Sequence, residues 1–167
     1  LTGTQASAHK AWGLISQALP APVCVDLTGA LEESSAARLR APLADPPGYT
    51  VADDAIHVVA HPAATALALF LARLHSVHPI LGSVIQILEP ASERGQRGLD
   101  ELQQQTINLL SFKSLPKDVF DAQLGFNVLA RYGEEAPVAL EDVEMRIERH
   151  LATLLERHGV IPLPSLR

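Results

Sequence analysis

The chain has one cysteine, few aromatic residues and no cluster of basic residues. Of its 167 residues, 13 are Lys or Arg and 19 are Asp or Glu, which gives a formal net charge of −6. A chain of this charge with no Lys/Arg run does not favour nucleic acid or an anionic membrane as a partner. The single cysteine, Cys24, excludes an internal disulfide and gives no sign of an oxidising compartment.

Long hydrophobic runs are also absent. The longest apolar run, residues 63–74, is interrupted by Arg73 and is too short to span a bilayer, and the first residues do not resemble a signal peptide. Hydrophobic residues still make up 47% of the sequence, which is ample for a packed core. We therefore expect a globular cytoplasmic protein. Because the chain starts without Met and stops in a new extended segment, we also expect it to be part of a longer protein.

The first part of the sequence alternates between helices and short apolar strands. Its predicted elements are helix 6–19, strand 23–27, strand 55–60 and helix 64–75. The proline-rich stretch 32–49 is predicted to be mostly loop. Apolar strands without polar alternation suit a parallel sheet that is covered on both faces. Residues 1–62 are therefore predicted to be the C-terminal part of a Rossmann-like NAD(P)-binding domain.

The pattern changes after Pro79, where longer elements are joined by irregular connections. The predicted elements are a long β segment 80–88 that is apolar on both faces, a polar turn 90–98, an amphipathic helix marked by Leu99, Leu102, Thr106 and Leu109, an irregular stretch 120–129, and a helix 138–157 that buries Leu140, Val143, Ile147, Leu151 and Leu154. Gly159 is expected as the cap just past this last helix. Residues 63–167 are predicted to be part of an α+β dimerisation and substrate domain.

Four segments follow one another in a recognisable order. They are Val25-Asp26-Leu27-Thr28-Gly29-Ala30, Val59-Ala60-His61-Pro62-Ala63-Ala64-Thr65, Gly98-Leu99-Asp100-Glu101-Leu102 with Gln105-Thr106, and Phe120-Asp121-Ala122-Gln123-Leu124-Gly125-Phe126-Asn127. Each resembles a motif of the aspartate-semialdehyde dehydrogenase family. The last, close to Phe-x-x-Gln-x-Ala-Phe-Asn, is the most specific. The four segments keep a consistent spacing over nearly the whole chain.

The resemblance implies a fold and a reaction. The fold is an α/β chain in which the end of a Rossmann-like domain is followed by an α+β dimerisation domain, both incomplete here. The reaction makes aspartate semialdehyde from aspartyl phosphate through an acyl-cysteine, with hydride from NADPH. The thiolate sits at a helix N-terminus, where the dipole lowers its pKa. A glutamine orients the intermediate, an arginine and a glutamate hold the amino acid, and a later histidine is the acid/base.

The sequence departs from the family at the positions that carry this chemistry. The nucleophile position falls on Ala64, whose methyl group can neither attack nor form an acyl intermediate. The orienting glutamine falls on Glu89 and the arginine on Glu32, so both positions carry a negative charge. Along the last helix, the substrate glutamate falls on Val143 and the lysine on Arg146. The closest resemblance is therefore to the Usg group, homologues that keep the fold and lack the cysteine.

Few binding residues of the family are retained. Cys24 lies in an earlier strand and is interpreted as an inert core cysteine. Arg167 falls where the family has its substrate arginine. Gly3 and Thr4 form a turn that could contact a dinucleotide, but the glycine cradle for its phosphates would lie upstream. NADP is therefore expected as a cofactor of the full-length protein only, and not of this fragment.

The histidines do not predict a metal site. His75 and His78 are three residues apart, but Pro79 breaks any helix there and no carboxylate or cysteine lies at ligand spacing. The charged turn 93–98 could contact phosphate, although a solvated turn is the favoured interpretation. No metal is expected.

Two functions stay open at this level. In the first, the protein is a catalytically inactive homologue that acts as a structural or regulatory homodimer, with residues 79–129 as the main dimer face. In the second, it is an NADP-dependent oxidoreductase with altered chemistry, in which Glu89 or Ser92 is recruited for catalysis. Ala64 favours the first. An active aspartate-semialdehyde dehydrogenase is not expected.

Overall fold

The computed structural model describes residues 1–18, 22–52, 55–159 and 165–166. The chain divides into two compact units. The first unit comprises Leu1–Ser83 and Ile147–Pro164, and the second comprises Val84–Arg146 and Ser165–Arg167. The predicted domain boundary after residue 62 stays a prediction.

The first unit is built on a three-stranded parallel sheet. Its strands are β1 (Cys24–Asp26), β2 (Ala37–Arg40) and β3 (Ile56–Val59), in the order β1-β3-β2. Ile56, the first residue of the central strand, is in register with Cys24 and with Ala37. Ile56 and Val58 are buried in one core with Cys24 and Leu31. The predicted parallel α/β arrangement is confirmed.

The sequence predicted two of these three strands. Segments 23–27 and 55–60 correspond to β1 and β3, whereas β2 lies inside the stretch 32–49 that was predicted to be mostly loop. The prediction missed β2 because Arg38 and Arg40 interrupt its apolar residues and none of its residues is fully buried. Pairing with the central strand, and not local hydrophobicity, makes this segment extended.

Two helices flank this sheet along the chain, α1 (Gln5–Ile15) and α2 (Pro62–His75). Thr4 caps α1 reciprocally with Ser7: the Thr4 hydroxyl oxygen accepts the Ser7 N–H at 3.2 Å, and Ser7 Oγ accepts the Thr4 N–H at 3.1 Å. Pro62 is favoured at the first position of α2 because that N–H has no partner within a helix. Both predicted helices are confirmed, although α1 ends at Ile15, and residues 19–21 lie outside the described part of the chain.

A long helix, α4 (Leu140–Glu156), confirms the helix predicted for 138–157. The predicted buried residues Val143, Ile147, Leu151 and Leu154 are buried, whereas Leu140 is only half-buried. Gly159 has a φ of +93°, the left-handed conformation expected of a residue just past a helix end. Among the described residues, no helix is both long and apolar enough to cross a membrane.

The second unit contains one further long helix and little sheet. Its elements are β4 (Val84–Ile85), a 3-10 helix (Ala91–Arg94), α3 (Gly95–Leu110) and β5 (Ser165–Leu166), which pairs in parallel with β4. The prediction of a long strand over 80–88 is wrong, because only two residues find a partner strand in the described chain. No helix or strand occurs in residues 111–139, which agrees with the irregular stretch predicted at 120–129.

Gly98 lets the 3-10 helix pack closely on α3. A Cβ atom at this position would lie 2.3 Å from the Ala91 carbonyl oxygen, so no other residue fits without a shift of the backbone. The buried residues of α3 are Gly98, Glu101 and Gln105, whereas Leu99 is exposed. The helix predicted from its apolar residues is therefore present, but it buries a mainly polar line of residues.

Candidate functional site

The start of α2 is the position at which the resemblance expects a nucleophile. The chain leaves β3 at Val59, and His61 becomes the N-cap of α2, where its Nδ1 accepts the Ala63 N–H at 3.2 Å. Ala64 is the third residue of the helix and is 0% exposed. The free N–H groups and the dipole of a first helical turn form a positive end that stabilises a thiolate. In this chain a buried methyl group lies there instead.

Cys24 does not replace the missing thiol. It is in register with Ile56, the first residue of β3, whereas Ala64 lies in the helix that begins beyond Val59, the last residue of that strand. Ile56 and Val59 are separated by about 10 Å along the strand. Burial also raises the pKa of the Cys24 thiol, which disfavours the thiolate. Cys24 is thus a core residue, as its sequence context predicts.

A fully buried carboxylate, that of Asp26, organises the turn after β1. Its Oδ1 accepts the Thr28 N–H at 2.8 Å and the Thr28 hydroxyl at 2.7 Å, and its Oδ2 accepts the Leu31 N–H at 2.9 Å. Burial acts to raise the pKa of Asp26, but the hydrogen bonds from Leu31 and Thr28 outweigh it, so the pKa is lowered. Asp26 belongs to the first resembling segment, and its observed contacts hold the backbone.

Glu32 lies beyond this turn and pairs with two residues of α4. Its Oε1 is 2.6 Å from Arg149 Nη2 and 2.6 Å from Nε2 of the buried His150. His150 Nδ1 accepts the His61 N–H at 2.9 Å, so in the neutral ring the proton is on Nε2 and is donated to Glu32. The hydrogen bond to Glu32 raises the pKa of Arg149. Sequence reasoning identified Glu32 and missed both partners, which are 117 and 118 residues away.

Glu89 and Ser92 lie in the second unit, beside and within the 3-10 helix. Glu89 is half-buried and Ser92 is exposed. Tyr132 is close to this helix: burial raises the pKa of its phenol, Arg94 opposes the shift, and Glu89 and Glu93 add to it. Within the segment 91–94, Ala91 and Arg94 are half-buried, whereas Ser92 and Glu93 are exposed.

The remaining predicted site residues have mainly structural surroundings. Val143 is buried on the apolar side of α4, and Arg146 is half-buried. Arg167 lies outside the described residues. His75 accepts the Ile80 N–H on its Nδ1 at 3.1 Å and so stabilises the turn after α2.

The turn before α1 contains the predicted cofactor residues Gly3 and Thr4. Gly3 has a φ of +93°, and Gln5 donates to the Thr28 carbonyl oxygen at 3.3 Å, which holds this turn near the carboxyl end of β1. Ligands of doubly wound sheets bind at such ends. The hydroxyl and N–H of Thr4, however, are both bonded to Ser7. Contact of this turn with a dinucleotide stays a prediction.

A set of buried contacts, which we call the loop clamp, joins α3 to the loop 116–125. The Gln105 side-chain oxygen accepts the N–H groups of Leu124 at 2.7 Å and Gly125 at 3.0 Å. Its nitrogen donates to the carbonyl oxygens of Pro116 at 2.8 Å and Ala122 at 2.9 Å. These four bonds use the full capacity of an amide side chain, so Gln105 has none left for a ligand.

Glu101 completes the loop clamp one helical turn before Gln105. Its carboxylate oxygens accept the N–H groups of Val119 at 2.6 Å and Phe120 at 3.2 Å. The sequence showed both residues as part of a family-like segment but gave them no role. The signal that could have revealed it is a pair of polar residues four apart on one face of a helix.

The fold is mixed α/β. It combines a parallel sheet, a helix that starts beyond the central strand of that sheet, and a second unit with an irregular loop. Solved structures that share it are aspartate-semialdehyde dehydrogenases. The chain is similar to aspartate semialdehyde dehydrogenase II from Vibrio cholerae, complexed with ASA, with a TM-score of 0.72 and 18% identity over 99% of this chain and 49% of that chain. A second structure, of aspartate semialdehyde dehydrogenase II from Vibrio cholerae, has a TM-score of 0.66 and 19% identity over the same shares of the two chains.

A probable aspartate-semialdehyde dehydrogenase from Pseudomonas aeruginosa is also similar, with a TM-score of 0.65 and 26% identity over 97% of this chain and 46% of that chain. The chain thus has the fold of part of these enzymes and spans about half their length. No protein-family model matches the chain, and no curated protein matches it in sequence.

Proposed function

We propose that the chain is part of an aspartate-semialdehyde-dehydrogenase-like protein that has lost acyl-enzyme chemistry and acts as a structural or regulatory homodimer. The shared fold supports the relationship. The observation that carries the loss of activity is the buried Ala64 in the first turn of α2. Without a nucleophile there, the thioester that accepts hydride cannot form.

Two further positions support this proposal. Glu32 offers a carboxylate where the resemblance expects an arginine, and that carboxylate is bonded to Arg149 and His150. Glu89 places a second carboxylate where an orienting amide is expected. An anionic substrate would therefore meet negative or neutralised groups at positions that should attract it.

The test is an activity assay of the full-length protein. Phosphate-dependent reduction of NADP by aspartate semialdehyde should not exceed background, since loss of a nucleophile can reduce the rate by a factor on the order of 10⁶. Turnover in the ordinary range of roughly 1 to 10³ per second would contradict the proposal. Ala64→Cys is the informative companion variant: it should restore little activity, because the new thiol would be buried and Glu32 and Glu89 would be unchanged.

The dimer is proposed from the exposed apolar residues of 79–129. Leu81, Val84 and Leu88 are 93%, 78% and 73% exposed, whereas Ile85 and Ile87 between them are half-buried. Exposed apolar residues in such number are typical of a surface that pairs in the assembly. Obligate interfaces of this type bury roughly 2,000 Å² or more.

Val84→Asp should therefore convert a full-length dimer into monomer at micromolar concentration, as measured by sedimentation. Leu43→Asp, at an equally exposed apolar position outside 79–129, is the matched control. If the unmodified full-length protein is a monodisperse monomer, the dimer proposal is wrong. Val84 is a better choice than Ile85 or Ile87, whose partial burial within one chain would confuse loss of pairing with loss of folding.

The alternative is an NADP-dependent oxidoreductase with altered chemistry, and the surroundings of Glu89 favour it. This carboxylate is half-buried, and its charge adds to the upward shift that burial gives the pKa of the Tyr132 phenol, so the two groups act on each other. In that case Glu89→Gln should abolish an NADP-linked carbonyl reduction of the full-length protein. Full retention of such an activity in Glu89→Gln would remove Glu89 from this alternative.

A further inference from the structure

Two hydrogen-bond donors of α4 converge on one oxygen atom of Glu32. Arg149 Nη2 and His150 Nε2 are each 2.6 Å from Oε1. Charge-assisted bonds of this length are the geometry in which proteins bind the oxygen of a carboxylate or phosphate. Arg149 Nη1 also reaches Oε1 of the exposed Glu33, at 3.2 Å.

The histidine donor is fixed independently of Glu32. The His150 side chain is 2% exposed, and its Nδ1 is bonded to the His61 N–H at the cap of α2. The ring therefore keeps its Nε2–H pointing the same way whatever anion it meets. The Glu32 side chain is 13% exposed, so solvent reaches the edge of this contact.

We infer that Arg149 and His150 form an oxyanion site, which the chain keeps filled with the carboxylate of its own Glu32. The ligand class is a small carboxylate or phosphate. A free anion can occupy the site only when Glu32 is removed or displaced. This inference gives one reason why the start of α2 is closed to anionic substrates, and it rests on the proposed function only for that biological meaning.

The experiment asks whether removing Glu32 uncovers the site. Full-length Glu32→Ala is unfolded thermally in about 0.1 M sodium formate and, separately, in sodium phosphate, with sodium chloride at equal ionic strength as reference. A ligand that binds only the folded state raises the midpoint temperature of unfolding. For Glu32→Ala we expect a rise of about 3 °C in formate or phosphate relative to chloride. Comparison of the two salts shows whether carboxylate or phosphate is preferred, and a rise in either supports the inference.

Two matched variants make the result specific. Glu33→Ala removes an exposed neighbouring carboxylate and, like the unmodified protein, should show no such rise. Adding Arg149→Ala to Glu32→Ala should abolish the rise. Equal responses in Glu32→Ala and Glu33→Ala, or none in either salt, would overturn the inference.

Should Glu32→Ala not fold in any of these salts, Glu32→Gln takes its place in the same comparison. Its amide keeps the size of the side chain but has no charge, and bonds to a charged acceptor are roughly twice as strong as neutral ones. A rise in formate or phosphate therefore supports the site, and the lack of one refutes it. Catalytic activity is not measured in any of these experiments. A failure here is therefore distinct from a failure of the proposed loss of acyl-enzyme chemistry.

Discussion

The loop clamp in the second unit and the start of α2 in the first unit both contain segments that resemble the dehydrogenase family, but their residues do different things. In the clamp, Gln105 and Glu101 bond to backbone groups of the loop they hold. At the start of α2, Ala64 offers no functional group, and the nearby Glu32 bonds to side chains of α4. The comparison teaches that residues which bond to the backbone can hold a fold in place whatever side chains stand at the positions where chemistry is expected.

The largest expected effect tests the clamp side of this comparison. Gln105→Leu would leave two N–H groups and two carbonyl groups of the loop without their partner, in a region where Gln105 itself is fully buried. Each buried group left unpaired costs about 1–3 kcal/mol, so we expect a loss of about 4 kcal/mol in the free energy of unfolding. Urea unfolding of the full-length protein measures it.

Gln103→Leu is the matched control for Gln105→Leu. Gln103 lies two residues earlier on the same helix and is exposed, so its replacement should change stability by about 0.5 kcal/mol or less. Similar losses in both variants would mean that the clamp contributes nothing beyond ordinary helix surface. The contrast between the two regions would then disappear.

Gly133 tests how tightly the irregular segment 111–139, which includes the clamped loop, is packed. A Cβ atom at this position would lie 2.2 Å from the carbonyl oxygen and from Oδ2 of Asp121. Gly133→Ala must therefore shift the backbone, and we expect a loss of about 2 kcal/mol. Gly13→Ala in exposed α1, where no atom lies within 4 Å, should instead stabilise the protein by about 0.5–1 kcal/mol. Thermal unfolding should show opposite shifts, and equal shifts would contradict the packing argument.

Elements with a strong apolar pattern were predictable, because the pattern of their own residues shows which of them are buried. Helix α4 and strand β3 are of this kind. Strand β2 was not, since Arg38 and Arg40 conceal a segment that is extended only through its pairing with β3. The run 80–88 shows the opposite error. An apolar sequence indicates β propensity but does not reveal how many residues will find a partner strand.

The candidate site was predictable only in part for a similar reason. That Ala64 starts a helix after an apolar strand follows from local sequence, and so does the position of Cys24 within another strand. The pairing of Glu32 with Arg149 and His150 depends on a contact between residues more than a hundred positions apart. Local patterns carry no information on such a contact, since a charged residue on a helix is most often solvated.

Asp26 allows the backbone-holding role to be tested in the first unit by pH. Its folded pKa is lowered, so it lies below the unfolded value of about 3.9. The contribution of Asp26 to stability is then complete above that pH, and it is lost as the pH falls through the folded pKa. We expect Asp26→Asn to lose about 1–2 kcal/mol of the free energy of unfolding at neutral pH. Its stability, measured by urea unfolding, should also fall less steeply than that of the unmodified protein as the pH is lowered (a flatter acid limb). The exposed Asp100→Asn is the control, and an unchanged acid limb in Asp26→Asn would refute the assignment.

The smallest effect is expected for a thiol placed at the start of α2. Ala64 is 0% exposed, so in Ala64→Cys the sulfur enters a packed site at a cost of about 1 kcal/mol. It should react with a disulfide reagent only when the helix opens, on the order of 100-fold more slowly than an exposed thiol if opening costs about 3 kcal/mol. Ala66→Cys provides that exposed thiol two residues further along the same helix. Mass spectrometry of the modified peptides measures the rate at each site separately.

Equal rates would mean that the first turn of α2 is open to reagents, and the start of α2 would then be a site lacking only its nucleophile. A slow Ala64→Cys and a fast Ala66→Cys would show that restoring the sulfur does not restore access, which is the difference expected between a vacated active site and a closed core position.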